Sequence, residues 1–289
     1  MVQQRILLAI FAHPSAESYS AAGTLATYAS QGVEVRLISA TKGEAGMISS
    51  PELAFRDNLG AVREEELREA CRVMGIHQPN MLGYRDSGIA GTKENLDPQS
   101  LNMASPEEVI GKIVYLIRQI RPNVIISYDH QVVFGHPDHV AVSKYTKEAF
   151  EASGDPSRYP EHITKDVKPH TPHRLFYVTI PQSRIEALAK VIPSDLRPDD
   201  EEIDVKDIGA PDEHITVEMD TSAMYDTKCK VIACHRTQQR PKDFFNRLPE
   251  DVRRNIFSRE HFTQVLPALQ EGTQYKDLFE GLEFGSLSS

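Results

Sequence analysis

Three histidines stand where residue type and spacing predict chemistry. His136 and His139 are three residues apart in FGHPDHVAV, near the start of a predicted helix, and that spacing can turn both imidazoles to one side. His13 follows an apolar run in AIFAHPSAES. Imidazoles gathered beyond strand ends are typical of zinc sites. A surface or helix-capping role for the H-x-x-H pair stays open, because that motif alone is weakly specific. Ser15 and Ala16 stand where a catalytic metal would require carboxylates.

Alternating apolar strands and helices would position these histidines. The predicted strands cover residues 5–12, 33–40, 80–84 and 123–128. The predicted helices lie in YSAAGTLATYASQG, LGAVREEELREACRVMG, SPEEVIGKIVYLIRQIRP, with Ser105 as N-cap, and HPDHVAVSKYTKEAFEASG. This order indicates an α/β fold with a parallel sheet flanked by helices and right-handed crossovers. We expect the functional site beyond the carboxyl ends of the strands.

The chain changes character past about residue 155, where prolines and charged runs increase. RLFYVTI predicts a further sheet strand, and EHITVEMD predicts a strand of a C-terminal β-containing lobe. We therefore divide the chain into an α/β core, residues 1–180, and a lobe with helices, residues 181–289, that completes the same domain. Helices are expected around residues 222–235 and 242–255. The acidic run RPDDEEIDVKD reads as a solvated loop.

Composition limits the partners. A formal net charge of −10 argues against nucleic acid as the main partner, since phosphate binding needs a concentrated basic surface. The apolar run near the N-terminus is too short to span a bilayer, and a secretory leader is not evident, so we expect a cytoplasmic protein without a membrane span. Cys71, Cys229 and Cys234 lack a C-x-x-C pair and are expected to be free thiols.

An ordered set of motifs resembles a known family. AHPSAES, TKGEAG, VREEELREA, LGYRDSG and GHPDH follow one another over the first 150 residues, and HRTQ comes at residues 235–238. Together they resemble the LmbE-like, or PIG-L, family of zinc-dependent de-N-acetylases. The resemblance implies a Rossmann-like LmbE fold and hydrolysis of an amide on N-acetylglucosamine units of a small sugar conjugate.

The resemblance also implies roles for individual residues. His13 and His139 match the two histidine zinc ligands, and His136 matches the histidine that protonates the leaving group or supports the oxyanion. Asp138 would orient His136. Four further residues match positions that hold the sugar or shape its pocket: Glu44, Arg63, Asp86 and Gln238. A zinc with three protein ligands would activate a water and polarise the amide carbonyl.

The sequence departs from the family pattern at the positions where this chemistry is most demanding. The family motif A-H-P-D-D-E here reads AHPSAE. Ser15 occupies the general-base position, where a hydroxyl is a poor proton acceptor, and Ala16 occupies the position of the carboxylate zinc ligand. Phe134 stands where the family often has a tyrosine that donates to the oxyanion. Each of these three departures predicts a slower reaction. Ala16, which lacks a ligand atom, also predicts weaker metal binding.

Several residues offer alternatives. The possible substitutes for the missing groups are Glu17, Asp129, Asp138 and His130. Glu17 could instead stabilise a helix N-terminus, His130 could be a solvated loop residue, Arg63 and Glu66 could pair with helix neighbours, and YRDSG could be an ordinary turn.

Two functions remain open at this stage. The first is a weakened or altered zinc-dependent deacetylase, and the second is a sugar-binding or glycoconjugate-binding relative without catalysis. Ser15 and Ala16 are what natural divergence or a deliberate double replacement would leave, and Phe134 favours divergence. The sequence marks neither the identity of the sugar conjugate nor the oligomeric state.

Overall fold

A seven-stranded sheet lies at the centre of the part of the chain that the computed structural model describes, residues 4–129, 135–191, 209–239, 247–270 and 272–283. The strands are β1 Ile6–Phe11, β2 Glu34–Thr41, β3 Asn80–Tyr84, β4 Val124–Tyr128, β5 Arg174–Thr179, β6 Val217–Asp220 and β7 Arg259–Leu266. Their order across the sheet is β3-β2-β1-β4-β5-β7-β6. Strands β1 to β5 are parallel, and β7 runs antiparallel to both β5 and β6.

Helices cover the two faces of this sheet. They are α1 Ala16–Ser20, α2 Ala22–Ser30, α3 Leu59–Met74, α4 Pro106–Ile120, α5 Pro137–Ser153, α6 Gln182–Val191, α7 Tyr225–Cys234 and α8 Glu250–Phe257. The central strands are apolar on both faces because helices cover both sides. All of Leu7–Phe11 in β1 and Val124–Ile126 in β4 are at most 1% exposed. The α/β fold class is therefore confirmed.

The strand order reverses between β1 and β4, which lie side by side in the sheet although β2 and β3 separate them in the chain. A crevice forms where connections leave neighbouring strands in opposite directions. His13 lies two residues after β1, and α5 begins at Pro137 after β4. The fold thus brings His13 and the GHPDH segment to one edge of the sheet.

The structure differs from the sequence predictions in its details. The helix expected after β1 is two helices, because Ala21 leaves the helical region with φ −148° and ψ 3°. The helix expected at residues 222–235 begins with a 3₁₀ turn over Ser222–Met224. Ser105 stands at the N-cap of α4, although its side chain makes no capping hydrogen bond.

The C-terminal part extends the main sheet. Strand β6 contains the VEMD of the predicted EHITVEMD strand, and it reaches the sheet through β7, which the sequence did not predict. Helix α8 occupies part of the helix expected at residues 242–255, of which residues 242–246 lie outside the described residues. The acidic run after residue 196 also lies outside them. Among the described helices, none combines the length and apolar character needed to cross a bilayer.

Candidate active site

Three imidazole rings meet at the crevice. The ring centroids of His13 and His136 are 4.8 Å apart, those of His13 and His139 are 5.2 Å apart, and those of His136 and His139 are 5.1 Å apart. One ring nitrogen from each side chain lies within 4.8 Å of the others, so the described residues include a group that could hold a metal ion. The predicted convergence of the histidines is present in the structure.

His13 is held from one side and has no partner on the other. Its Nδ1 lies 2.7 Å from Oγ1 of Thr41, the last residue of β2. Its Nε2 is buried and has no hydrogen-bond partner among the described residues. Burial, followed by the charges of His136 and Arg63, lowers the pKa of His13 to about 3. The ring is therefore neutral at physiological pH and has a nitrogen available for a ligand.

His136 is both a helix cap and a pocket residue. As N-cap of α5 it accepts a hydrogen bond at Nδ1 from the backbone N–H of Asp138, at 3.2 Å. A neutral ring that accepts at Nδ1 carries its proton on Nε2. That Nε2 lies 3.9 Å from Oδ1 of Asp86. Burial lowers the pKa of His136 and so favours the neutral ring. His136 therefore caps α5 through Nδ1 and also lines the pocket.

His139 lies one turn into α5 and stacks on an aromatic ring. Its imidazole lies 4.6 Å from the ring of Tyr128, centroid to centroid, with an interplanar angle of 14°. Burial lowers the pKa of His139 to about 3, and the neighbouring His13 and His136 add to the effect. A second neutral imidazole therefore faces the crevice.

Asp138 is fully buried between the histidines and the loop after β3. Its Oδ2 accepts a 3.0 Å bond from the backbone N–H of Ser87, and its Oδ1 accepts one from the Ser87 hydroxyl. Oδ2 also lies 3.6 Å from the unpartnered Nε2 of His13. Burial raises the pKa of Asp138 to about 7. Its contact with His136 is made by its backbone, whereas its carboxylate faces Ser87 and His13.

A second group of possible metal ligands combines His13 and His136 with Asp86 and Asp138. Neither Glu17 nor Asp129 belongs to a ligand group within the described residues. His130 and Phe134, which the sequence analysis singled out, lie outside the described residues.

The turn that carries Ser15 and Ala16 is rigidly held. Ser15 has the left-handed backbone angles φ 86° and ψ −18°, an uncommon conformation for a residue with a Cβ. Its hydroxyl donates to Oε1 of Gln238 at 3.0 Å, and Nε2 of Gln238 donates to the carbonyl of Pro14 at 3.1 Å. Ala16 presents only a methyl group to the pocket. Gln238 thus fixes the turn while lining the same pocket.

Glu17 contacts His235 and does not belong to the described cluster of His13, His136 and His139. Its Oε1 lies 2.7 Å from Nε2 of His235, its Oε2 accepts from the backbone N–H of Ser15, and both carboxylate and imidazole side chains are 1% exposed. Burial would raise the pKa of Glu17, but the interaction with His235 and the hydrogen bond from Ser18 outweigh it and lower that pKa. Glu17 ties the turn after β1 to the HRTQ segment.

Arg63 and Glu66 of α3 fix the same segment. Glu66 accepts from the backbone N–H of Thr237 at 2.9 Å and from its hydroxyl at 2.7 Å. Arg63 donates to the carbonyls of Gly43 and Met47 and borders the pocket. These bonds to distant loops favour a place beside the pocket over the alternative of pairing between helix neighbours.

Asp86 and Glu44 occupy different places. Asp86 is 4% exposed, lines the pocket, and accepts from the backbone N–H groups of Gly88 and Ala45 at 2.8 and 3.2 Å. The YRDSG turn is therefore closed by Asp86, as the turn alternative predicts. Glu44 accepts from the backbone N–H of Asp86 at 3.1 Å and borders a separate depression. Glu44 braces Asp86, and it is absent from the described lining of the histidine pocket.

The histidine pocket has a volume of about 510 Å³, within the range of small-molecule sites. Its polar lining combines the three histidines with Ser15, Arg63, Asp86 and Gln238, and Val178 and Ile180 form part of an apolar wall. Three supporting residues escaped the sequence analysis: Thr41, Ser87 and Tyr128. Thr41 and Tyr128 end strands next to β1, so their positions at the crevice were the available signal.

The sequence match gives the class of protein to which this fold and site belong, a family of de-N-acetylases. The sequence matches the PIG-L family, described as GlcNAc-PI de-N-acetylase, over residues 8–150. The chain belongs to this family.

Relatives named as deacetylases span nearly the whole chain. The 1D-myo-inositol 2-acetamido-2-deoxy-alpha-D-glucopyranoside deacetylase of Thermobifida fusca is 32% identical over 276 residues, covering 91% of this chain and 93% of its own. The enzyme of the same name from Rhodococcus jostii is 32% identical over 299 residues, covering 97% and 99%.

The N,N'-diacetylchitobiose deacetylase of Pyrococcus horikoshii shares the fold, with a TM-score of 0.65, 19% identity and coverage of 91% of this chain and 84% of its own. All three are named as deacetylases. The two relatives that are 32% identical therefore favour the deacetylase interpretation over the sugar-binding relative without catalysis.

Proposed function

We propose that this protein is a zinc-dependent deacetylase that removes the acetyl group from an N-acetylglucosamine unit of a small conjugate. The cluster of neutral imidazoles, with the unpartnered Nε2 of His13 at its centre, carries this proposal. His13 and His139 would hold the metal, because depressed pKa values keep both rings unprotonated. When bound, the metal would lower the pKa of a water and polarise the amide carbonyl.

His136 is the proton donor of this proposal. Its Nδ1 is occupied by the N–H of Asp138, so the proton on Nε2 faces the pocket. From there it can donate to the developing oxyanion or to the departing amine. Asp86, beside Nε2, is placed to accept hydrogen bonds from sugar hydroxyls, while Arg63 and Gln238 line the same pocket.

The absence of a carboxylate at position 15 sets the expected rate. The Ser15 hydroxyl is bonded to the Gln238 carbonyl oxygen, so it is not aimed at a water in the pocket. General-base catalysis contributes roughly 10²–10⁴ in rate. We therefore expect turnover well below that of a relative with an aspartate in this place. Relatives that act on a GlcNAc–inositol conjugate make this conjugate the first substrate to test.

The test measures amine release and bound metal in parallel. Purified protein is stripped with chelator, reloaded with zinc, and incubated with the GlcNAc–inositol conjugate and with simple N-acetylglucosaminides. Zinc-dependent amine release that His139→Ala abolishes is expected. His214→Ala, at an exposed histidine, is the matched control and should retain activity. Zinc binding without amine release from any of these amides would overturn the proposed function.

A further inference from the structure

We propose that Asp138 supplies the metal-binding carboxylate that Ala16 cannot provide. This inference rests on the proposed function insofar as it requires a metal at the histidine cluster. The carboxylate would thereby have moved from the first residue of α1 to the first turn of α5, next to His139 in the chain.

The unpartnered nitrogen of His13 is the first step. In the tautomer that donates its Nδ1 proton to Thr41 Oγ1, 2.7 Å away, Nε2 carries a lone pair. That lone pair lies 3.6 Å from Oδ2 of Asp138, which is also an acceptor when ionised. The His13 nitrogen is therefore a buried acceptor without a donor, and it faces a carboxylate oxygen that accepts one bond from Ser87. A cation ligated by both atoms would give the His13 lone pair a partner and would balance the carboxylate charge.

The other candidates for the third ligand are less suitable. His136 accepts an N–H at Nδ1 and therefore carries its proton on Nε2, where a ligand needs a lone pair. Asp86 faces that same Nε2 at 3.9 Å, so its nearest ring nitrogen is a donor. Asp138 alone faces a ring nitrogen without a partner among the described residues.

The surroundings of Asp138 suit a ligating carboxylate. Ser87 holds one oxygen through its backbone N–H and the other through its hydroxyl. A carboxylate offers about four lone-pair sites, so one remains on each oxygen. Metal-bound carboxylates are commonly held by such outer hydrogen bonds, and loss of one typically weakens metal affinity about 10–100-fold. Asp138 is 0% exposed, which removes competition from bulk water.

Calorimetric titration with zinc alone tests the assignment. We expect Asp138→Asn to weaken zinc binding by about 10²-fold or more, and Ser87→Ala by about 10–100-fold. Adding Ala16→Asp to Asp138→Asn should restore much of the affinity, because a carboxylate returns to the other side of the cluster. Asp86→Asn is the matched control, and it should change zinc affinity by less than about threefold while raising KM.

The outcomes separate this inference from the proposed function. Unchanged zinc affinity in folded Asp138→Asn, or an equal loss in Asp86→Asn, overturns the assignment of Asp138 alone. Zinc bound through Asp138 without deacetylation overturns the proposed function alone. Absence of zinc binding in the unmodified protein overturns both. If Asp138→Asn does not fold by circular dichroism, Ser87→Ala and the affinity gained from Ala16→Asp decide the question.

Discussion

The turn after β1 and the first turn of α5 contribute to the same pocket, yet they match the motifs of the family unequally. The turn after β1 has His13 but carries Ser15 and Ala16 at the positions where the resemblance implies two carboxylates. The first turn of α5 keeps His136, Asp138 and His139. Both keep their surroundings, because Gln238 fixes the first and Ser87 fixes the second. The two turns are thus held in similar ways, although only the first turn of α5 has all the functional residues that the resemblance implies.

The largest expected effect comes from placing two carboxylates in the turn after β1. Ser15→Asp with Ala16→Asp should raise zinc affinity and turnover together, turnover by about 10²–10⁴ because a general base returns. The left-handed backbone at position 15 suits aspartate, which is enriched in that region. Zinc titration and amine release measure the two gains. Ser15→Asn with Ala16→Asn is the control, because asparagine has a similar shape without the charge. If the double aspartate variant shows no higher zinc affinity or turnover than this control, the explanation is wrong.

The next effect concerns Glu17, which supports the turn after β1 through its bonds to Ser15 and His235. Glu17→Ala leaves His235 buried without its partner, and breaking a buried pair costs about 3–5 kcal/mol. Urea unfolding should show this loss, while zinc bound per folded molecule stays unchanged. Glu17→Gln, which keeps hydrogen-bonding atoms, should lose less. A loss of zinc at unchanged stability would instead make Glu17 a ligand.

A third effect concerns how the stability of the metal-free protein depends on pH. The pKa of His139 is about 3 in the folded chain against an ordinary 6.5, so between these values the unfolded chain binds a proton that the folded chain does not. Stability therefore falls as pH drops below 6.5. His139→Gln should remove about 2 kcal/mol of this loss between pH 6.5 and pH 5. Thermal unfolding in chelator measures it, with His214→Gln, at an exposed position, as the control substitution.

The smallest effect tests the support beneath α5. Tyr128→Phe keeps the ring that stacks on His139 and removes a 3.4 Å hydrogen bond from the N–H of Ala12. We expect a loss of at most about 1 kcal/mol in the free energy of unfolding and unchanged zinc affinity. A large fall in zinc affinity would mean that the hydroxyl, and not the ring, positions the cluster.

The sequence predicted the central sheet because its strands are simple apolar runs. Strand β3 coincides with the predicted residues 80–84, and β1, β2 and β4 lie within one residue of their predictions. Strand β7 was missed since its buried positions include polar residues. Glu260, for example, is buried because it binds Lys228 at 2.6 Å and accepts from the N–H groups of Gly23 and Thr24. Such partners are distant in sequence.

The site was predictable to a similar degree. The meeting of His13 with His136 and His139 follows from parallel strand ends and from the resemblance. The direction of the Asp138 carboxylate does not, because it depends on hydrogen bonds from Ser87. Likewise the separation of Glu44 from the described histidine pocket depends on how the loop after β2 folds against Asp86. Chain topology predicts which residues lie close together, whereas hydrogen-bond partners determine where each side chain is directed.

The bonds among Pro14, Ser15 and Gln238 have a consequence for how the chain can change over time. The bond from Gln238 to the Pro14 carbonyl and the bond from the Ser15 N–H to Glu17 do not use the side chains at positions 15 and 16, whereas the bond from the Ser15 hydroxyl to Gln238 does. Selection could therefore remove or reinstate acidic side chains here without first rebuilding the loop. In directed evolution, positions 15 and 16 can be randomised as a pair on a preformed frame, so new chemistries can be sought without redesigning the surrounding protein.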